Sequence, residues 1–137
     1  MRIKKFILAV AAVSFSFLGL NSAATNSSAT LTADNVFWLY SGNASGSNLR
    51  LLGYGDNWPN AWSFNFDVSP GDYLYVMALD QGQPHAWQGV FTTPAGTIYS
   101  DAAHWIAANT TSTTVNQAVI GNATWGRIGT VLAANSG

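Results

Sequence analysis

The run Tyr73 to Leu79, YLYVMAL, is apolar throughout and closed at both ends by turn chemistry. Upstream lies Asp67-Val68-Ser69-Pro70-Gly71-Asp72, where Pro presets the backbone and Gly takes positive φ without cost. Downstream, Asp80-Gln81-Gly82-Gln83-Pro84 breaks the run. An unalternating apolar stretch of strand length predicts a strand covered on both faces. Phe64 to Val68 before it and His85 to Phe91 after it carry residues that favour a pleated, half-buried surface. Two successive hairpins through a doubly covered strand predict the middle of a β-sandwich.

The rest of the chain extends that pattern. Strands are expected at Ala29 to Thr32, Val36 to Ser41, Leu49 to Gly53, Ser63 to Val68, Thr97 to Tyr99 and Arg127 to Ala133. Between them lie Gly/Ser/Asn/Pro stretches, notably SGNASGSN from Ser41 to Asn48, and an exposed Thr-rich tract from Asn109 to Thr114. Ser100 to Trp105 reads as a loop or a single helical turn. Short strands at this spacing, without an amphipathic helix, predict an all-β fold, an antiparallel β-sandwich of jelly-roll type.

The N-terminus reads as an export signal. Arg2, Lys4 and Lys5 form a basic start, Phe6 to Leu20 an apolar stretch, and Ser22-Ala23-Ala24 a small-residue cleavage site. Residues 1–24 are therefore expected to be a signal peptide and 25–137 a single domain, secreted or at the cell surface. No Cys is present, so no disulfide supports the domain. Beyond the signal stand Arg50 and Arg127 against six Asp and no Glu, a charge of 2 − 6 = −4. Two basic residues cannot neutralise a phosphate backbone or an anionic lipid surface, which excludes nucleic acid and membrane insertion as expectations. A surface of Asn, Ser, Thr and Gly suits a neutral glycan or copies of the same chain.

If every strand reverses the one before it, the loops sort to two ends. One end gathers turn residues only. The other gathers 34–35, 54–62, 80–86 and 100–105, with Tyr54, Trp58, Trp62, Trp105, His85, His104 and four of the six Asp, and Trp87 at its margin. Sugars bind by stacking a C–H face on an aromatic ring while polar side chains hold the hydroxyls. The expected ligand-binding set is Trp58, Trp62, His85, Asp56, Asp80 and Trp105. The plainer alternative is that these Trp plug the open end of the core. Trp38 and Tyr40, alternating on one strand face, form a second candidate surface, with inter-sheet core as its alternative. No metal is expected with assurance; calcium would use Asp34 and Asp80. No nucleophile elbow and no Glu pair is present, so catalysis is not expected.

TADNVFWLYSGN (Thr32 to Asn43), Asn57-Trp58, SPGDYLYVMALDQG (Ser69 to Gly82), AWQGVF, SDAAHW and GNATWG (Gly121 to Gly126) together resemble the galactose-binding-like β-sandwich domains of secreted proteins. The resemblance implies a jelly roll that holds sugar in loops at one end and carries a structural Ca²⁺ in many members. It also implies a module without catalysis of its own. The rival expectation is a self-assembling extracellular subunit of a matrix, sheath or fibre.

Overall fold

The computed structural model describes residues 6–11, 25–79 and 86–110, with the side chains of 6–11, 25 and 106–110 excepted. The expected strand at Arg127 to Ala133 lies outside the described residues. Among the described residues nine strands form: β1 Phe6–Ala11, β2 Thr25–Ala33, β3 Val36–Gly42, β4 Arg50–Gly55, β5 Trp62–Val68, β6 Tyr73–Leu79, β7 Trp87–Thr93, β8 Gly96–Tyr99 and β9 Trp105–Thr110. They build a five-stranded sheet in the order β4-β3-β6-β1-β9 and a four-stranded sheet in the order β5-β2-β7-β8. All pairings are antiparallel. The fold is thus an all-β, two-sheet sandwich, as expected. Among the described residues no helix is long and apolar enough to cross a membrane.

Alternation explains the core between the sheets. Phe37 and Leu39 on β3, Leu74, Val76 and Ala78 on β6, Ala29, Leu31 and Ala33 on β2, and Phe91 on β7 all point inward and are buried. Trp62, Phe64 and Phe66, every second residue of β5, pack against that cluster from the edge. β6 is buried on both faces, as its unbroken apolar run requires. Its outward Tyr75 donates its hydroxyl to the Asn43 carbonyl, and burial pushes that hydroxyl's pKa up to about 12.

Two expectations change. β6 is not joined to its neighbours by hairpins, because β5 and β7 lie in the opposite sheet. The turn at 69–72 crosses between sheets, β6 and β7 likewise lie in different sheets, and among the described strands only β3–β4 and β7–β8 are consecutive pairs within one sheet. Thr25 to Ser28, expected as a polar leader, belongs to β2, where Thr25 to Ser28 pair with Val68 to Asn65 of β5. Polarity misled there because that half of β2 puts Asn26 and Ser28 on its solvent face. In the full chain Phe6–Ala11, within the expected signal, pairs as β1 between β6 and β9.

Candidate functional site

From β2 to β8 the strands do alternate in direction, so 34–35, 56–61 and Ala86 share one end. β9 departs from this. It runs antiparallel to β1, which is antiparallel to β6, so β9 has the direction of β6 and does not reverse β8. The cause is the length of β8. Four residues carry it only from Thr93 back to Val90, about midway along β7. The chain leaves the sheet there, and Ser100 is tied to β7 by Ser100 N–H to Gly89 O at 3.0 Å and Gly89 N–H to Ser100 Oγ at 3.0 Å.

A single turn follows. The Asp101 carboxylate accepts the backbone N–H of Ala103 and of His104, each at 3.1 Å, and meets His104 Nδ1 at 2.6 Å. The His104 hydrogen bond holds Asp101 below its ordinary carboxylate pKa. A depressed pKa stabilises the turn above the ordinary carboxylate range and stops doing so as pH falls through the depressed value. Acidification below that range should therefore lower the protection factors of the Ala103 and His104 amides, taken against the intrinsic exchange rate at each pH. Asp101→Asn should abolish this pH dependence of protection, with amide exchange by NMR as the measurement. A pH-independent protection factor in the native chain would contradict the assignment.

The expected site residues separate. Trp105 is 8% exposed; its ring lies 4.9 Å from both Trp87 and Phe91, and its Nε1–H donates to Tyr99 O at 2.9 Å. It is core, as the plugging alternative held. Trp62 is half-buried against the same core. Trp38 and Tyr40 do not form a surface, being 7% and 3% exposed. β3 is an interior strand, the Tyr54 ring stacks on Trp38 at 5.5 Å, and Leu49 folds over Gly42 on the same face. Of the end-loop aromatics Trp58 stands out, at 45% exposed, and Asp56 beside it accepts the Tyr54 hydroxyl at 3.2 Å. Asp34 is buried, with its N–H on Ala86 O. Asp80 and His85 lie outside the described residues. Among the described residues no three His, Cys, Asp or Glu converge on a metal position.

A different surface brings polar and aromatic groups together. The inward alternates of β2, β5, β7 and β8 leave Asn26, Ser28, Thr30 and Thr32, then Ser63, Asn65 and Asp67, then Gln88, Val90 and Thr92, then Thr97 and Tyr99 on the outer face of the four-stranded sheet. Asp67 is the only charged residue among them. Register aligns Ser63, Thr30, Val90 and Tyr99 into one rung across all four strands. At its polar end the Thr30 and Ser63 hydroxyls lie 2.9 Å apart. At its other end Val90 and Tyr99 expose 41% and 56% of their surface. A shallow groove of about 500 Å³ runs over Thr30, Val90 and Tyr99 of this rung, with Ala61 on one rim and Ser100 and Asp101 on the other. Thr32 and Gln88, directly opposite one another, continue its floor.

Sequence reasoning looked to the strand ends and passed over this face. The signal was present in the solvent-side alternates, whose hydroxyls and amides line up only once the register is known. No protein-family model, no curated protein and no solved structure matches the chain.

Proposed function

We propose that this chain is a secreted, non-catalytic β-sandwich module of the galactose-binding-like type that binds neutral carbohydrate on the outer face of its four-stranded sheet. The observation that carries the reading is the Thr30–Val90–Tyr99 rung under an open groove. A sugar ring has an apolar C–H face and a rim of hydroxyls. Tyr99 and Val90 offer the first a flat apolar contact, and Thr30, Thr32 and Gln88 offer the second donors and acceptors, with the Thr30 hydroxyl tied to that of Ser63. Asp101, ionised and fixed at the rim, adds a charge-assisted acceptor for a hydroxyl. The open groove fits an internal stretch of an extended glycan better than an enclosed terminal residue.

The test is a screen of the protein on immobilised neutral oligosaccharides at low and high salt. Binding to at least one neutral glycan, unchanged on going to about 0.5 M salt, is the expected result, because an uncharged ligand has no ionic attraction to screen. Binding confined to charged glycans and lost in salt would contradict it, as would no binding at all.

A second reading, a self-assembling extracellular subunit, draws on β5. This seven-residue strand is an edge of its sheet and contains neither Lys nor Pro, two common guards against edge-to-edge pairing. Growth of light scattering with concentration in the absence of glycan would favour it.

A further inference from the structure

The position of β1 carries a separate inference, independent of what the module binds. Phe6–Ala11 pairs along its whole length with β6 on one side and with β9 on the other. β9 stands at the sheet edge, and β1 is its only neighbour in the sheet among the described residues. Yet these six residues are the apolar stretch of a sequence with the features of an export signal. Removal of residues 1–24 would take away a full ladder from each neighbour. It would leave the backbone groups of β6, whose side chains are buried on both faces, without partners on that side. The slot needs another occupant.

We propose that the β6/β9 slot is a strand-acceptor site, filled after leader removal by the chain's own C-terminal segment Arg127 to Ala133, so that leader and C-terminus are alternative occupants of one position. Direction is the first argument. Phe6 stands opposite Leu79 and Thr110, and Ala11 opposite Leu74 and Trp105. A strand that fills the slot antiparallel to both neighbours must enter beside Thr110. The chain leaving β9 is at that end already, and its return would pair antiparallel with β9 as a hairpin does. Reach is the second. Residues 111–126 separate β9 from the segment, ample for a return between adjacent strands.

Composition is the third argument. Arg127 to Ala133, RIGTVLA, has no Pro, contains Ile128, Thr130 and Val131, and confines its one charge to the end where it would enter. Its seven residues are enough to span the six of β1. Tethering on the same chain gives it an effective concentration in the millimolar range, so its own slot is favoured over that of a second copy in dilute solution.

The chain has no Cys, so engineered pairs report without background. The protein is expressed with its leader in a secreting bacterium and the processed form recovered. Met77→Cys on β6 is combined in turn with Ile128→Cys, Thr130→Cys, Val131→Cys and Leu132→Cys. At least one pair should oxidise to an intramolecular disulfide that speeds migration on a non-reducing gel. In a variant whose leader cannot be cleaved, Leu8→Cys with Met77→Cys, which are register partners, should crosslink instead. Val131→Pro in the processed protein should raise amide exchange in β6 and β9 at least tenfold while leaving the β2–β7 ladder protected. Three results would overturn the proposal. One is the absence of any C-terminal crosslink in folded protein with exchange unchanged by Val131→Pro. Another is disulfide-linked dimers or ladders, which would make a second copy the donor. The third is retention of the leader in the exported protein with the Leu8–Met77 crosslink formed.

Discussion

Phe91→Ala should lower the unfolding free energy by about 3–5 kcal/mol and the thermal midpoint by more than about 10 °C. Phe91 is fully buried, and its ring sits between Trp105 at 4.9 Å and Trp87 at 6.4 Å. Removing it leaves a cavity walled by two rigid indoles, which cannot collapse to fill it as flexible aliphatic chains would. The damage would spread beyond the core. Trp105 lies on the same span as Tyr99, whose carbonyl it holds through Nε1–H, so the turn at 100–104 and the groove rim share this support. Circular dichroism against temperature and urea gives the stability change. A loss under about 1 kcal/mol would mean that the three-ring cluster is not central to the sandwich.

The second large effect is the opposite kind of packing error. A Cβ on Gly55 would stand 2.4 Å from the Phe37 ring and 2.7 Å from Trp62 Cδ1. Neither neighbour is a flexible tip. Phe37 is fully buried and meets Phe64 edge-on at 6.2 Å, so it cannot swing aside. Gly55→Ala should therefore destabilise at the upper end of the range of about 1–3 kcal/mol for overpacking. Gly53 repeats the constraint two residues earlier, against Phe64. Paired glycines on one face of β4 let its edge of the five-stranded sheet close onto the aromatic face of β5. Gly71→Ala is the contrasting variant. Gly71 has φ +84° but open space around it, so it should lose only the backbone term of about 1 kcal/mol. Equal losses at Gly55 and Gly71 would refute the close-approach account.

Much of the fold could be read without coordinates. The Tyr73–Leu79 run is β6 to the residue, and the alternation of Phe64 and Phe66 gave the inward face of β5. Turn chemistry located strand ends well, since Pro and Gly act locally. What the residues could not reveal was sheet membership. A turn such as 69–72 reads the same whether it joins neighbours in one sheet or arches across to the other, because that choice depends on where the partner strands lie. The break in alternation at β9 is hidden for a similar reason: nothing local says that β8 stops midway along β7.

The site suffered from the same gap. Loop aromatics attracted attention because Trp among Gly and Asn is conspicuous, yet Trp105 and Trp62 serve the core. Thr30, Ser63, Val90 and Tyr99 are ordinary alternates of four separate strands. Only the register brings them into one rung.

That contrast sets the deciding measurement, titration of Tyr99→Ala and Trp58→Ala against the best neutral oligosaccharide from the screen. Tyr99 is exposed at the groove, so its loss should weaken binding about tenfold, the scale of one ring contact, with the thermal midpoint nearly unmoved. Trp58→Ala should bind as the native chain does. Binding lost with Trp58 and kept without Tyr99 would return the site to the strand ends and contradict the sheet-face account.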